Sequence, residues 1–522
     1  MITKTEQERQ ELFKRIHEIA NELRNQVDGW DFKAYTLGIL FYRYISQDFI
    51  NFVNKKENKP HFNYLNLEDE KITDEIKNVL ISSKGYFIYP SQLFQNVAKL
   101  DFNQIENLNE ILTKTFREIE NSADGTKYQN NFKGLFQDLD LNSNKLGRNT
   151  LDRNTKILKI IKEFNNLDFG DFNENSIDIF GDAYEYLIRM YASAAGKSGG
   201  EYYTPQEVSE LLFKLALGNK KTVNKIYDPA CGSGSLLLKA CKILGHKNVK
   251  HGFYGQEINL TTYNLCRINM FLHGVNFTKF NIVYDDTLLH PGHIDLKFDL
   301  IVSNPPYSKR WIGKDNPLLI NDERYAPAGV LAPKKPADFA FIMHIIYQLA
   351  NDGRAAVLCF PGVLYRKSPK AEWKIRKYLV ENNFIEAIIQ LPTDLFYGTD
   401  IATAIVILNK SKNNNKIFFV NASNEFVKVT NANKLSDNNI NKIFDYCSNL
   451  KEEKYFSKLV DISLIVNNDY DLNVSRYVKQ EIKKKEFDII SLNKNIKEKV
   501  SLVNFLRAEI EQIIKELEDE TN

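Results

Sequence analysis

Residues 225–235 read K-I-Y-D-P-A-C-G-S-G-S, a short apolar run that leads into a glycine-containing turn and then into a helical stretch. Gly232 and Gly234 allow a tight turn and a close approach of the backbone to a ligand, because they carry no side chain. Ser235 is expected to cap the helix, whose amino-terminal N–H groups would face that ligand. Leu237 stands where a dinucleotide-binding G-x-G-x-x-G motif requires its third glycine. The stretch therefore predicts a ligand-binding strand–turn–helix unit that lacks the dinucleotide fingerprint.

Strand-like runs and helical stretches alternate from about residue 200 to about residue 410. The predicted strands are 225–227, 252–256, 281–284, 299–302, 354–360, 384–390 and 402–408. The predicted helices include 179–191, 235–244 and 260–272. This alternation is typical of a doubly wound α/β sheet, in which ligands bind beyond the carboxyl ends of the strands.

Polar residues follow the first four predicted strands. Asp228 follows the first strand, and Glu257 follows the second, where a carboxylate can accept hydrogen bonds from two ribose hydroxyls. The third strand is followed by Asp285 and Asp286, and a carboxylate there can accept a hydrogen bond from the amino group of an adenine ring. The fourth strand runs into Asn304. Together these strand ends predict a site for a nucleoside and for a substrate that carries an amino group.

The tetrapeptide Asn304-Pro305-Pro306-Tyr307 follows the fourth strand. The two prolines hold φ near about −65° and remove two N–H donors, which leaves local carbonyls and the Asn304 side-chain oxygen as acceptors. Such a pocket suits a planar –NH2 group, and Tyr307 offers a ring for stacking. The alternative is a turn that ends a strand and buries a tyrosine. The three polar strand ends before it favour the pocket.

Four regions are predicted along the chain. Residues 1–165 are predicted to form an all-helical amino-terminal domain, and 166–415 the α/β catalytic domain. An irregular connecting region is predicted at 416–475, where asparagine and lysine are frequent and periodicity is weak. A long carboxy-terminal helix is predicted at 476–522, and we expect it to contact another subunit.

An apolar seam runs along that last predicted helix. Its residues recur at alternating intervals of three and four: Val503, Leu506, Ile510, Ile513 and Leu517. A seam of this length fits a helix that packs on its own domain, and it equally fits a helix that docks a partner subunit.

Composition and smaller motifs argue against several other classes of protein. The 522 residues are 43% hydrophobic and 26% charged with a net charge of +2, which is ordinary for a globular protein. The five cysteines form no C-x-x-C pair, so no metal site or disulfide framework is predicted. Gly196-Lys197-Ser198 is not a P-loop, since Tyr191 stands at its first glycine position. A polar amino terminus and the absence of long apolar runs predict a cytoplasmic protein without membrane spans.

The order of the motifs resembles the S-adenosylmethionine-dependent amino-methyltransferases of DNA, and most of all the modification (M) subunit of type I restriction–modification systems. The motifs that carry the resemblance are E-Y-Y-T-P-Q at 201–206, the turn at 228–235, Glu257, Asp285-Asp286 and Asn304–Tyr307. It covers nearly the whole chain, through G-I-L-F-Y-R-Y at 38–44, A-Y-E-Y-L at 183–187, L-P-T-D-L-F at 391–396 and D-L-N-V-S-R-Y at 471–477.

The resemblance implies a role for each matching residue. The edge of the S-adenosylmethionine pocket would be formed by Glu201, Tyr202, Tyr203, Thr204, Pro205 and Gln206. The methionine part would be approached by Gly232, Ser233, Gly234 and Ser235, with Asp228 nearby. Glu257 would bind the ribose, and Asp286, in preference to Asp285, would contact the adenine of the cofactor. Asn304, Pro305, Pro306 and Tyr307 would hold the target base.

The resemblance also implies an activity and partners. The chain would transfer methyl from S-adenosylmethionine to adenine N6 in double-stranded DNA, with target choice supplied by a specificity (S) subunit. Two copies of the chain per complex and a separate restriction (R) subunit are implied as well. Two alternatives stay open, a cytosine-N4 DNA methyltransferase and an enzyme that methylates a glutamine amide in proteins. A purely structural subunit would need a degraded pocket, and every expected position is filled.

Overall fold

A mixed β-sheet lies at the centre of the larger of two compact units, which is Met1–Val478; the second unit is Lys479–Asn522. The computed structural model describes residues 13–19, 32–167, 176–194, 204–307, 309–396, 402–429, 432–479 and 489–520.

The strands of the described residues form one large sheet and one hairpin. In chain order they are β1 Val223–Asp228, β2 Val249–Glu257, β3 Phe280–Tyr284, β4 Phe298–Ser303, β5 Leu349–Cys359, β6 Ile385–Gln390, β7 Ala404–Asn409, β8 Lys416–Asn421, β9 Val427–Val429, β10 Ala432–Lys434 and β11 Ser457–Asp461. The large sheet has the order β3-β2-β1-β4-β5-β7-β6-β8-β11, in which β7 and β11 run antiparallel to their neighbours. The strand order reverses at β1, the position where α/β sheets bind ligands.

Helices cover both faces of this sheet and make up the amino-terminal region. In chain order they are α1 Phe32–Glu57, α2 Asp74–Lys84, α3 Phe94–Val97, α4 Leu108–Asn121, α5 Gln129–Phe132, α6 Thr150–Asn165, α7 Ser176–Ala194, α8 Gln206–Leu217, α9 Ser235–Leu244, α10 Leu260–Leu272, α11 Asp338–Gln348, α12 Lys370–Glu381, α13 Asp437–Asn449, α14 Ile462–Asn467, α15 Val474–Tyr477 and α16 Ile489–Glu520. Residues 13–19 are also helical.

The predicted doubly wound fold is confirmed. All seven predicted strands lie in the large sheet, with ends displaced by a few residues. The predicted helices 235–244 and 260–272 coincide with α9 and α10, and 179–191 lies within α7. α9 follows β1 and α10 follows β2, as the predicted alternation of strands and helices requires.

The amino-terminal region is helical, as predicted, and it packs against α10. Arg267 Nη1 donates to the carbonyl oxygens of Asn130 at 2.8 Å and Lys133 at 2.7 Å. The Tyr44 hydroxyl donates to the carbonyl oxygen of Phe271 at 2.6 Å. These bonds fix α10, whose first turn follows β2 at the site described below.

The region 416–475 is not irregular, and that prediction is wrong. It contains β8, whose residues 417–420 are fully buried, together with β11, α13 and α14. β8 pairs with β6 and β11 pairs with β8, so this region extends the sheet. A strand that is buried on both faces has no polar–apolar alternation, and the neighbouring asparagines and lysines hid this short run.

The second unit contains a long helix, α16, as predicted, but this helix begins at Ile489 and not at residue 476, because Arg476 and Tyr477 belong to α15. Its seam residues Val503, Leu506, Ile510 and Ile513 are 52%, 47%, 57% and 55% exposed. The side chain of Leu517 lies outside the described residues. Within the described ranges, no helix is both long enough and apolar enough to span a membrane.

Candidate active site

A cavity of about 340 Å³ opens at the carboxyl ends of β1, β2, β3 and β4. Its wall contains residues that follow each of these strands: Pro229, Ala230 and Gly232 after β1, Gln256, Glu257, Ile258 and Asn259 at β2, Asp286, Thr287 and Leu288 after β3, and Asn304, Pro305, Pro306 and Tyr307 after β4. The sheet therefore gathers into one cavity the polar strand ends that are far apart in the sequence.

The turn after β1 approaches α10 closely. Gly232 and Gly234 have φ values of 52° and 86°, a region that residues with side chains rarely adopt. A Cβ atom on Gly234 would lie 2.8 Å from Cys266 Sγ. Gly234 is the amino-terminal cap residue of α9, and Ser235 is its first helical residue. The prediction that Ser235 caps the helix is wrong, because the left-handed Gly234 already occupies the cap position.

Glu257 joins this turn to the end of β2. Its Oε2 accepts a hydrogen bond from the Gly232 N–H at 2.9 Å, and its Oε1 accepts one from the Asn259 N–H at 2.8 Å. A carboxylate offers about four lone-pair positions, so acceptor capacity remains toward the cavity that Glu257 lines. The backbone bonds fix the carboxylate in one orientation, which suits recognition of a pair of hydroxyl groups.

Asp228 lies beneath the cavity wall. It is 1% exposed, and its Oδ1 accepts hydrogen bonds from the Ala230 N–H and the Ser303 hydroxyl, both at 3.0 Å. Burial raises the pKa of Asp228 to about 7; the two hydrogen bonds oppose this shift, and the nearby Glu257 charge adds to it. Asp228 thus ties the glycine turn to the end of β4.

The raised pKa of Asp228 makes stability depend on pH. Between about pH 4, where the unfolded carboxyl ionises, and about pH 7, the folded protein keeps a proton that the unfolded chain has lost. The free energy of unfolding should therefore fall as the pH rises through this window, by on the order of a few kcal/mol. We expect Asp228→Asn to lack this loss, measured as unfolding temperatures at about pH 5 and about pH 8. Identical pH dependence of the two proteins would contradict the assignment.

The two aspartates after β3 face different surroundings. Asp286 lines the cavity, and its Oδ1 accepts a hydrogen bond from the Leu288 N–H at 2.8 Å. Asp285 Oδ1 instead lies 3.1 Å from His290 Nδ1 and accepts the Asp286 N–H at 2.7 Å. Of the two aspartates, Asp286 lines the cavity and Asp285 does not.

Asn304 is held from both ends of its amide. Its Nδ2 donates to Thr204 Oγ1 at 3.0 Å, and its Oδ1 accepts a hydrogen bond from the Tyr307 hydroxyl at 2.5 Å. Burial raises the pKa of Tyr307 well above its usual value, so the hydroxyl stays protonated and remains a donor. One lone pair of Oδ1 is left for an incoming N–H group.

Several predicted cofactor residues lie behind the wall or outside the described residues. Glu201, Tyr202 and Tyr203 belong to the latter group. Pro205 is the cap residue of α8, and Gln206 Nε2 donates to Glu185 Oε2 at 3.1 Å. Ser233 is buried, and its carbonyl accepts a hydrogen bond at 2.8 Å from a side-chain amide of α10. Of the four predicted turn residues, the structure brings Gly232 to the cavity, and not Ser233, Gly234 or Ser235.

One side of the cavity was not predicted from the sequence. The additional lining residues are Thr262, Lys309, Arg310, Trp311, Ala337, Phe341 and Phe396. The basic pair Lys309-Arg310, which comes almost directly after the Asn-Pro-Pro-Tyr motif, was an available signal for a site that meets phosphate. Among the described residues, no group of His, Cys, Asp and Glu side chains is arranged to hold a metal ion.

The strand order and the position of this cavity define the fold of the S-adenosylmethionine-dependent methyltransferases. The family model of N-6 DNA methylases matches residues 175–486, and that of the HsdM N-terminal domain matches residues 12–164. The chain belongs to the N6-adenine DNA methyltransferase family, as a methylase subunit of type I restriction–modification systems.

Individual relatives are similar in sequence to this chain over more than half of its length. The type I restriction enzyme MpnII methylase subunit of Mycoplasma pneumoniae is 46% identical over 99% of this chain and 98% of its own length. The MjaVIII methylase subunit of Methanocaldococcus jannaschii is 39% identical over 59% of this chain and 54% of its own length. The crystal structure of a type I restriction-modification system methyltransferase subunit from Streptococcus thermophilus has 35% identity and a TM-score of 0.81, and covers 90% of this chain and 100% of that one.

Proposed function

We propose that this chain transfers the methyl group of S-adenosylmethionine to N6 of an adenine that has been flipped out of double-stranded DNA. The observation that carries the proposal is a single cavity that joins Glu257 and Asp286 with Asn304 and Tyr307. One pair supplies acceptors for a nucleoside, and the other supplies an acceptor and a ring for an amino-bearing base. Membership of the N-6 DNA methylase family favours adenine N6 over cytosine N4.

The side of the cavity formed by β1, β2 and β3 fits S-adenosylmethionine, which supplies an activated methyl group when it is bound. Glu257, already oriented by two backbone N–H groups, accepts hydrogen bonds from the ribose hydroxyls. Asp286 accepts a hydrogen bond from the adenine amino group. The backbone at Gly232 approaches the remainder of the cofactor.

Asn304 and Pro305 activate the target amino group. The nitrogen of that group is a weak nucleophile, because its lone pair is delocalised into the ring. Asn304 Oδ1 and the Pro305 carbonyl oxygen accept hydrogen bonds from its two N–H groups and draw the nitrogen toward tetrahedral geometry. The lone pair of the nitrogen is then exposed to the methyl group. The rate enhancement comes from positioning the amino group and from stabilising the positive charge that develops on its nitrogen. One amino proton leaves that nitrogen after the methyl group has been transferred.

Tyr307 holds the flipped base. Unstacking a base costs a few kcal/mol, and stacking on an aromatic ring returns about 1–3 kcal/mol. We expect Tyr307→Ala to weaken capture of the target base about tenfold or more and to leave cofactor binding unchanged. Fluorescence of 2-aminopurine at the target position measures base capture. Tyr307→Phe, which keeps the ring and removes the bond to Asn304, is the control, and equal losses of base and cofactor binding would contradict the role.

Two surfaces support the proposed partners. Lys309 and Arg310 are exposed beside the cavity and suit the phosphates that flank a flipped base. The half-exposed apolar seam of α16 can pack against helices of a specificity subunit. That subunit would supply target choice, and the complex would contain two copies of this chain. The R subunit joins this assembly for cleavage.

Tritium transfer from S-adenosylmethionine to unmethylated DNA tests the proposed function. The chain is assayed alone and with its specificity subunit, and the labelled product is identified by nucleoside chromatography. We expect N6-methyladenine only when both subunits are present. Label in N4-methylcytosine would establish the cytosine alternative. Cofactor binding without any label in DNA would favour the protein-amide alternative.

A further inference from the structure

Arg324 is a buried arginine that holds one wall of the cavity. It is 1% exposed, and its Nη1 and Nη2 donate to the carbonyl oxygens of Thr287 and Leu288, each at 2.8 Å. Both of these residues line the cavity directly after Asp286. Asp322 balances the charge, with its Oδ2 2.7 Å from Nη2. One guanidinium therefore fixes the segment that the proposed function assigns to the adenine of the cofactor.

The same guanidinium reaches β1 through α11. Arg324 Nη1 lies 3.3 Å from His344 Nδ1, and His344 Nε2 lies 3.1 Å from the Tyr227 hydroxyl. Burial, and then the charge of Arg324, holds the pKa of His344 well below its usual value. The ring is therefore neutral, with one nitrogen as donor and the other as acceptor. Tyr227 directly precedes Asp228, so the network extends beneath the glycine turn.

Tyr325 connects this network to the opposite wall. Its hydroxyl donates to the Leu288 carbonyl at 3.0 Å, and its ring packs edge-on against Trp311 with centroids 5.3 Å apart. Trp311 lines the cavity in the segment that follows the Asn-Pro-Pro-Tyr motif, next to Lys309 and Arg310. Arg324 and Tyr325 thus contact both walls of the cavity. Thr287 and Leu288 form the wall on the cofactor side, and Trp311 belongs to the wall on the DNA side.

We infer that Arg324 and Tyr325 form a positioning pair that couples cofactor binding to DNA binding. This inference rests on the proposed function. When a bound cofactor displaces Thr287 and Leu288, Arg324 and Tyr325 move with them. If they did not, the carbonyl oxygens of Thr287 and Leu288 and the Arg324 guanidinium would lose their hydrogen bonds in a buried site, which is unfavourable. The pair in turn moves Trp311. By thermodynamic linkage, the cofactor tightens DNA binding by the same factor by which DNA tightens cofactor binding.

Arg376 provides a matched control for the loss of a buried arginine. It is also 1% exposed, and it donates to the carbonyl oxygens of Val363, Arg366 and Tyr470 at 2.8, 2.7 and 3.1 Å. None of these three described residues lines the cavity. Replacing Arg376 by lysine therefore carries the structural cost of the change without touching either wall.

The test compares Arg324→Lys, Tyr325→Phe and Arg376→Lys with the wild-type chain, each in complex with the specificity subunit. Calorimetry measures the Kd of S-adenosylhomocysteine with and without a duplex that the wild-type complex methylates. We expect the duplex to tighten binding about tenfold in the wild type and in Arg376→Lys. Arg324→Lys and Tyr325→Phe should bring this ratio close to one, although both arginine variants lose thermal stability.

Two results would overturn the inference: a wild-type ratio of one, or a ratio that Tyr325→Phe and Arg324→Lys leave unchanged. Should Arg324→Lys not fold, Tyr325→Phe decides alone, because it removes a single hydroxyl. Wild-type complex that does not bind S-adenosylhomocysteine at all would refute the proposed function instead, so the two failures are distinguishable.

Discussion

Asn304→Ala should lower methyl transfer by about 10²–10³-fold or more and leave S-adenosylmethionine binding unchanged. The variant removes the side-chain oxygen that accepts one N–H of the target amino group, so the nitrogen keeps its planar geometry. The cofactor side of the cavity loses no contact, since Asn304 is bonded to Thr204 and Tyr307 and to neither Glu257 nor Asp286. Single-turnover transfer of labelled methyl measures the first effect, and calorimetry with the cofactor measures the second.

Thr204→Val is the matched comparison for this prediction. It keeps the Asn304 oxygen and removes the acceptor that fixes the amide nitrogen at 3.0 Å. Because the amide can then rotate, we expect an intermediate loss of about tenfold in transfer. Normal turnover by Asn304→Ala would refute the mechanism. Equal losses in the two variants would mean that orientation of the amide, rather than its acceptor, carries the effect.

The fold could be predicted from the sequence because its strands are short apolar runs, and the first four of them lead into polar residues. Glu257, Asp286 and Asn304 lie at such ends or within two residues of them, and parallel strands place those ends at one edge of the sheet. Their meeting in one cavity therefore follows from topology alone. β8 escaped prediction because it is buried on both faces and lies among asparagines and lysines.

Other parts of the site depend on contacts between segments that are distant in the sequence. Thr204 was predicted at the cofactor edge, yet it holds Asn304, which lies 100 residues away along the chain. Arg324 and Trp311 belong to the connection between β4 and α11, where no periodic pattern marks a buried arginine or a lining tryptophan. The cap residue of α9 was misassigned because Ser235 is the better cap by residue type, whereas the backbone places left-handed Gly234 there. The type of a residue therefore predicts which ligand groups it can bind, whereas the packing of the chain decides which residues line the cavity.

The second large effect is expected at Glu257. Its two oxygens accept the N–H groups of Gly232 and Asn259, so a glutamine in its place would turn an –NH2 group toward one of these donors. The variant also loses the charge that strengthens hydrogen bonds from the ribose hydroxyls. A hydrogen bond to a charged group is worth about 1.5–3 kcal/mol, and about 1.4 kcal/mol is a tenfold change in Kd. We therefore expect Glu257→Gln to weaken S-adenosylmethionine binding by about 10²-fold.

Glu386→Gln separates this effect from the general cost of removing a half-buried carboxylate. Glu386 lies at the start of β6, at the opposite end of the sheet's strands, where Arg354 and Asn409 bond to it and no ligand contact is proposed. It should lose thermal stability and keep its affinity for the cofactor. In Glu257→Gln, KM for S-adenosylmethionine should rise with the Kd, whereas kcat at saturating cofactor stays near the wild-type value, because the target-base side is untouched. A fall in kcat with unchanged KM would instead place Glu257 in the transfer step, and unchanged values of both would remove it from the cofactor site.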